Sequence, residues 1–450
     1  MPRVYLESLG CPKNRVDSEI MLGLAHQEGA EIVTDPEVAD LVVVNTCGFI
    51  DAAKRESINR IVSWAQWKAE APHRRLIVTG CLVQRYGEEL AEALPEVDAF
   101  LGTGDFLRLP ELLQANSQRR TAIYRGAAHL LPDTNLPRLR TGDFFSAYLK
   151  VSEGCDHRCS FCIIPKIRGQ HESRPLDSVL SEAEHLVREG VVEINLVAQD
   201  LTAYGRDRRD GTTLARLLRE LAKIAGLQWI RLLYNYPRYV TDELLETIAS
   251  EEKVCPYIDM PLQHASTRIL RAMRRQRSGE ELRRLLTRIR AAVPGVAIRT
   301  AFIVGFPGET DEDFRTLLDF VQEQRFERLG AFVYSQEEGT PAADLPEQVP
   351  AQIKRHRYRE LMQTQAQISA EYQKSQIGKV LPVLVCGQDH RGRWFGRTPT
   401  QAPEIDGVVY LSNPAPVGRI VPVRIVGAST YDLRGTVLEA DGVDSCVVGL

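Results

Sequence analysis

Three cysteines crowd into eight residues, Cys155, Cys159 and Cys162, directly after the apolar run AYLKVSEG. Sulfur at C-x3-C-x2-C spacing binds metal or does redox chemistry. A structural zinc site draws four ligands, usually in two pairs, and no second pair lies nearby. Thiolates are soft ligands that suit a cubane of iron and sulfide. Three thiolates on a four-iron cluster leave one iron open, where a substrate or cofactor can bind. The bland alternative is a set of buried structural cysteines. It fits poorly with three thiols packed at the end of one strand.

Cys11, Cys47 and Cys81 are more than 30 residues apart, yet share a context. Each ends an apolar run (RVYLESLG, ADLVVVNTC, RRLIVTGC) and begins a turn before a helix. All strand C-termini of a parallel sheet lie on one edge, so three such cysteines can converge there. Three unrelated core cysteines are the competing reading. Cys255, Cys386 and Cys446 lack this placement and read as core residues. Nine cysteines, an odd number with scattered spacing, make a poor disulfide framework.

Two α/β regions must position these sulfurs. Helical spacing over Asp17–Glu28, Ala52–Lys68 and Val83–Ala93 alternates with the three apolar runs, which predicts a parallel sheet carrying helices. The stretch 116–143, rich in Pro, Arg and Asn, reads as a linker with one hairpin. From Ala147 six strands follow: AYLKVSEGC, EINLVAQD, WIRLLYNYP, YIDMPLQ, AIRTAFIVGFP and RLGAFVYS. Amphipathic stretches such as Leu176–Glu189, Thr213–Ile224 and Thr310–Gln324 separate them. That pattern suits an open or partial (β/α)6 barrel, with its chemistry at the C-terminal strand ends. A long helix over Ala351–Gln376 closes this region. After Gly378, alternating runs between Gly and Pro turns predict a small antiparallel barrel or sandwich of about 70 residues. The expected division is 1–118, 141–375 and 376–446.

Gln199 and Asp200 follow the second barrel strand, as polar ligands to a cofactor or substrate, or as a simple helix cap. Glu193 begins the same strand, on the face where residues serve stability.

With Phe161 between Cys159 and Cys162, the triad reads C-x3-C-x-aromatic-C and resembles the signature of the radical S-adenosylmethionine (SAM) superfamily. The resemblance implies a [4Fe-4S] cluster whose open iron chelates SAM, which is cleaved to a 5′-deoxyadenosyl radical near Phe161. Ile303–Glu309 resembles the family's Gly-rich strand-five turn, with Gly305 approaching the adenosine; a plain turn into a helix N-cap is the alternative. Adding Cys11, Cys47 and Cys81, nearly the whole chain resembles the methylthiotransferases. These carry a second [4Fe-4S] cluster on an N-terminal α/β domain and a C-terminal TRAM domain that contacts substrate. SLGCPKNRVDSE, NTCGFIDAAKRES, SEGCDHRCSFCIIPKIRGQHESRP, VAQDLTAYGRD, DMPLQHAS and FIVGFPGETDEDF are similar to the RimO type. That type modifies the β-carbon of an aspartate in small-subunit ribosomal protein twelve, with SAM as both methyl donor and radical source. The branch that modifies a tRNA adenosine beside the anticodon typically has a Gln-containing turn in place of Cys11-Pro-Lys-Asn, so Pro12-Lys13 favours RimO. The resemblance further implies an electron donor such as flavodoxin or ferredoxin, and a sulfur source.

Bulk properties agree. With 44% apolar and 26% charged residues the chain has the composition of a folded soluble protein. No apolar run approaches the roughly 18 residues of a membrane span, and MPRVYLESLGC has no signal-peptide core. A cytoplasmic protein is expected. The 56 Lys and Arg nearly balance 60 Asp and Glu, giving no overall signal for nucleic acid. From Lys379 onward seven basic residues face seven acidic ones. Such balance is a poor footprint for a phosphate backbone and suits a basic protein partner better. A loop carrying Trp394 and Phe395 is a candidate apolar anchor, with a core role as the alternative.

Overall fold

The computed structural model describes residues 1–114, 122–127 and 136–438. In the N-terminal unit, β1 (Arg3–Ser8), β2 (Glu31–Ile32), β3 (Leu41–Thr46), β4 (Arg75–Gly80), β5 (Ala99–Leu101) and β6 (Ala122–Tyr124) form a parallel sheet in the order β2-β1-β3-β4-β5-β6. Every residue of β3 is buried, as expected for a central strand covered by helices on both faces. The crossovers contain α1 (Pro12–Gln27), α2 (Asp51–Ala69) and α3 (Cys81–Ala93), with α4 (Leu109–Gln114) after β5.

Two expectations need correction. β6 lies in the stretch read as a linker with a hairpin, but pairs in parallel with β5 at the sheet edge. Three residues joining an existing edge need no local turn signal; the rest of that stretch, 115–121 and 128–135, lies outside the described residues. Helices α1 and α3 also start earlier than their periodicity suggests. Cys11 is the N-cap of α1 with Pro12 in its first turn, a position where proline's missing N–H costs nothing. Cys81 is the first residue of α3, which breaks at Tyr86 (φ −136°, ψ 31°).

The central unit begins with β7 (Ser146–Lys150) and a two-residue antiparallel hairpin, β8 (Ser152–Glu153) with β9 (Glu172–Ser173). Between the hairpin strands lie the Cys155–Cys162 loop and α5 (Ile164–Arg168). Alternation then continues through α6 (Leu176–Arg188), β10 (Glu193–Val197), α7 (Leu214–Ala222), β11 (Trp229–Leu232), α8 (Asp242–Ser250) and β12 (Val254–Asp259). It ends with α9 (Thr267–Ala272), α10 (Gly279–Ala292), β13 (Ala297–Val304), α11 (Asp311–Gln324), β14 (Arg328–Val333) and α12 (Ala351–Lys374). The six longer strands pair in parallel as β14-β13-β12-β11-β10-β7, the expected partial (β/α)6 barrel. Apolar faces of α6, α7, α10 and α11 pack on it in one large core.

The C-terminal unit is a closed barrel in the order β15-β16-β17-β19-β18, with β15 (Val380–Gln388), β16 (Trp394–Arg397), β17 (Val409–Leu411), β18 (Ile420–Ala428) and β19 (Leu433–Val437). It is antiparallel except for the parallel pair β17–β19. Trp394 and Phe395 sit in β16 rather than a loop, and Trp394 packs against the barrel's core. Cys255 is buried within β12 and Cys386 half-buried in β15, both in apolar clusters; Cys446 lies outside the described residues.

This barrel docks on the base of the central unit through buried charges. Arg397 bonds both carboxylate oxygens of Glu193, at 2.5 and 3.0 Å, and Arg231 reaches Glu193 at 3.0 Å and the Pro399 carbonyl at 2.5 Å. Burial alone would raise the Glu193 carboxyl, but Arg397 and Arg231 outweigh it and hold the group at about 2. Glu193 is therefore structural, as its place at the strand's start implies. One apolar cluster runs through all three units, joining Val16 and Ile20 to Tyr148, Tyr257, Leu384 and Ala402.

Candidate functional site

Both cysteine triads open into one cavity of about 310 Å³ between the N-terminal sheet and the mouth of the partial barrel. All six cysteines line it, joined by residues that follow β7, β10, β11 and β12, the C-terminal strand ends where a barrel enzyme works.

The compact triad sits on a loop pinned from several sides. The Cys155 amide donates to the Gly169 carbonyl (3.1 Å), and the Cys162 amide to that of Cys159 (3.1 Å). Ser160 donates through N to the Met273 carbonyl (3.1 Å) and through Oγ to that of Ala272 (2.7 Å). The His157 ring stacks on Tyr236 at 3.7 Å between centroids, and its Nε2 lies 2.6 Å from Asp200 Oδ2. Gly154 precedes the triad at φ +77°, where a Cβ would lie 1.9 Å from the Gln170 carbonyl oxygen. Only glycine can start this loop.

The dispersed triad is held by topology. Cys11, Cys47 and Cys81 follow β1, β3 and β4, adjacent parallel strands whose C-termini share one edge. Asn14 stitches the three loops: its Nδ2 donates to the Leu9 and Thr46 carbonyls (both 3.0 Å), and its Oδ1 lies 3.7 Å from Cys81 Sγ. Ser57 Oγ, 3.0 Å from both the amide and the carbonyl of Cys47, fixes the middle cysteine. Cys11 and Cys81 stand at the N-termini of α1 and α3, and burial raises the Cys81 thiol although Arg168 opposes it.

A buried charge network joins the two triads. Arg168, just after the compact triad, donates to Asp17 of α1 (2.7 Å), to Glu153 (3.3 Å) and to Asn14 Oδ1. Lys150 donates to Asp17 (2.5 Å) and Glu153 (2.8 Å), and Glu153 also accepts from Gln199. Burial alone would lower the Arg168 guanidinium, but Cys81, Glu153 and Asp17 outweigh it and hold it well above its usual value. From the far side Glu337 clamps the N-terminal unit, bonding the Asp51 amide (2.7 Å), Lys54 (2.9 Å) and Arg85 (3.0 Å).

The donor chemistry fits iron–sulfur clusters. Both triads supply cysteine sulfur to the cavity, and thiolates are the soft ligands that suit iron and sulfide. Burial pushes the Cys47, Cys155 and Cys162 thiols up to about 12, so loading a cluster must displace their protons.

The other expected site residues divide. Phe161 lines the cavity with its ring against the cluster of Phe306, Met273 and Tyr334. Gln199 also lines it, its Oε1 buried without a hydrogen-bond partner among the described residues. Asp200 caps the 3-10 turn Leu201–Ala203 and orients His157, and is not on the cavity wall. Gly305 is not on the wall either: it donates to Glu309 Oε2 (2.8 Å) in a turn leading to the capping box of α11, with Lys354 beside it. Periodicity and spacing missed Lys13, Asn14, Arg168, Tyr234, Gln263 and Arg275, all on the wall. A signal for some was present, since polar side chains beside a cysteine on a sheet edge must find buried partners. Tyr234 (φ 64°) and Gln263 (φ 74°) are left-handed although neither is glycine, and such backbone concentrates at working sites.

A partial (β/α)6 barrel and a sheet domain around a six-cysteine cavity, with a small closed barrel docked on the base of the central unit, define a radical SAM enzyme of the methylthiotransferase class. Residues 3–102 match the uncharacterized protein family UPF0004, 149–321 the radical SAM superfamily and 377–438 the TRAM domain. The ribosomal protein uS12 methylthiotransferase RimO of Geotalea uraniireducens is 50% identical over 440 residues, 97% of this chain and 98% of the relative. The protein of that name from Anaeromyxobacter sp. (strain Fw109-5) is 51% identical over 98% of this chain and 94% of its own. The chain belongs to the RimO methylthiotransferase family. In fold it is similar to the radical SAM methyltransferase TsrM from Kitasatospora setae, with a TM-score of 0.55, 16% identity and coverage of 76% and 77% of the two chains. No helix among the described residues is long and apolar enough to cross a membrane.

Proposed function

We propose that this protein methylthiolates the β-carbon of an aspartate in ribosomal protein uS12, using SAM as both methyl donor and radical source. The observation that carries the reading is the single cavity shared by both triads, together with relatives of the same architecture over nearly the full length. In this reading Cys155, Cys159 and Cys162 hold one [4Fe-4S] cluster and Cys11, Cys47 and Cys81 a second. When bound, the first supplies the electron that cleaves SAM and the second carries the sulfur to be transferred.

The chain's own residues bind, orient and exclude water. Phe161 and Tyr236 give the cavity apolar walls for an adenine ring. Gln199, whose Oε1 has no hydrogen-bond partner among the described residues, offers an acceptor to the amino group of SAM. The buried network of Lys150, Arg168, Asp17 and Glu153 fixes the two triads relative to each other. Positioning at this level is worth orders of magnitude in rate. We assign 1–118 to the second cluster, 141–375 to SAM and radical chemistry, and 376–446 to substrate recognition. A cytoplasmic flavodoxin- or ferredoxin-type donor and a separate sulfur source complete the reaction.

The test is anaerobic incubation of the reconstituted protein with SAM, sulfide, reductant and uS12. A methylthio mass gain localised to one aspartate is expected. An unchanged uS12 alongside methylthiolated tRNA would overturn the assignment.

A further inference from the structure

We infer that Lys13 is the specificity-determining residue of this cavity, its ammonium pairing with the side-chain carboxylate of the target aspartate. The inference rests on the function proposed above and adds the group that reads the substrate.

The wall carries three fixed cations, Lys13, Arg168 and Arg275, and no Asp or Glu. Two of the three have carboxylate or carbonyl partners. Arg168 faces Asp17 and Glu153, and Arg275 donates to the Pro261 carbonyl (2.8 Å) and lies 3.6 Å from Cys159 Sγ. Lys13 is only 8% exposed, and no carboxylate among the described residues lies within ion-pair distance of it. Its ammonium sits 3.2 Å from the centroid of the Tyr234 ring. Tyr234 also takes a side-chain hydrogen bond from this ammonium, and the Cys11 sulfur lies within electrostatic reach, which leaves part of a group with three N–H donors for an incoming carboxylate.

The support of this contact is itself built. Tyr234 holds a left-handed φ of 64° at the end of β11, which is strained for a bulky residue. Its amide donates to Asp259 (2.9 Å), which Arg299 grips at 2.7 Å. Lys13 belongs to the N-terminal unit and Tyr234 to the central one, so the ammonium stands at the seam between these two units, in the cavity that both triads line. The carboxylate of an aspartate is bonded directly to its β-carbon. A charge-assisted bond from Lys13 would therefore place the reacting carbon between the sulfur-bearing and radical-generating sides, and an asparagine at that position would forgo the ion pair.

A rival role for Lys13 is to offset the negative charge of the thiolate at Cys11. A two-by-two cycle separates the roles. Binding and steady-state parameters are measured for wild type and Lys13→Met, each with uS12 and with uS12 carrying asparagine at the target. We expect wild type to prefer aspartate by about 10- to 100-fold, the range for a hydrogen bond to a charged group, and Lys13→Met to bind both forms alike. Lys13→Arg, which keeps the charge, should restore part of the preference and covers the case in which the Met variant fails to fold. Equal weakening toward both forms, with the preference intact and a shifted reduction potential, would assign Lys13 to charge balance and overturn the inference. A wild-type protein that binds neither form overturns the parent function as well.

Discussion

The two cysteine triads reach the same cavity by opposite routes. Cys155, Cys159 and Cys162 lie on one loop, fixed by backbone hydrogen bonds to Gly169, Met273 and each other. Cys11, Cys47 and Cys81 come from three strand ends, and only the parallel order of β1, β3 and β4 places them side by side. The first set is therefore a local motif that a sheet supports, the second a product of the sheet itself. Local motifs survive small changes in domain packing. A set assembled by topology inherits every weakness of the elements that assemble it, here Asn14, Ser57 and the interface carrying Arg168.

The largest effects should come from the sulfurs themselves. Replacing Cys159 with Ala should remove both 5′-deoxyadenosine formation and methylthiolation. Replacing Cys47 with Ala should remove methylthiolation while SAM cleavage persists. Each loss should exceed the roughly 100-fold expected from a hydrogen-bonding neighbour of a ligand. Product analysis by mass spectrometry on iron-reconstituted variants decides it. If Cys47→Ala abolishes 5′-deoxyadenosine as fully as Cys159→Ala, the division of roles between the triads is wrong.

Next in size is Arg168→Met. It leaves Asp17 and Glu153 sharing only Lys150 in a buried site, and removing one partner of a buried pair costs about 3–5 kcal/mol. Thermal unfolding should report that loss. If the dispersed triad depends on the interface as argued, the variant's iron content should fall on Cys11, Cys47 and Cys81 first. Combining Arg168→Met with Cys47→Ala would then lower iron little further than Cys47→Ala alone.

This contrast also explains what was legible in the sequence. The compact triad was readable from spacing, because its ligands and the Phe161 slot lie within one loop. The dispersed triad was readable only once the apolar runs ending at Cys11, Cys47 and Cys81 were taken as parallel strands. The barrel strands were visible because each is an apolar run before a turn. The edge strand β6 was hidden because three residues in a polar stretch carry no periodicity. Arg168 and Lys13 were hidden for a different reason: their partners, Asp17 and Tyr234, are 151 and 221 positions away, and only the docking of two units makes them neighbours. At Gly305 the amide bonds Glu309 in the turn before α11, an arrangement that a Gly-rich spacing alone does not distinguish from an approach to a cofactor.

Away from both triads, the base of the central unit should respond to acid. Glu193 is held at about 2 by Arg397 and Arg231 against the cost of burial, compared with roughly 4.3 in an unfolded chain. Its contribution is complete above that unfolded value and is lost as pH falls from there toward 2, by up to about 3 kcal/mol. Stability between pH 5 and 3 should therefore drop more steeply in wild type than in Glu193→Gln, which starts less stable but lacks this titration. Parallel curves would show that the docking charges do not govern acid stability.

The smallest expected effect is the most specific to the comparison. Gly10 precedes Cys11 at φ +92°, and a Cβ there would lie 2.9 Å from the Cys47 Cβ. The left-handed backbone alone costs an alanine about 1–2 kcal/mol, a modest loss in thermal stability. The neighbour it presses is a side chain of the same triad, so the strain acts on the geometry of Cys11 against Cys47. Gly10→Ala should accordingly lower methylthiolation relative to SAM cleavage, with the compact triad unaffected. Equal loss of both activities would show that the two triads are mechanically coupled through the shared cavity, and that the dispersed one is not the weaker partner.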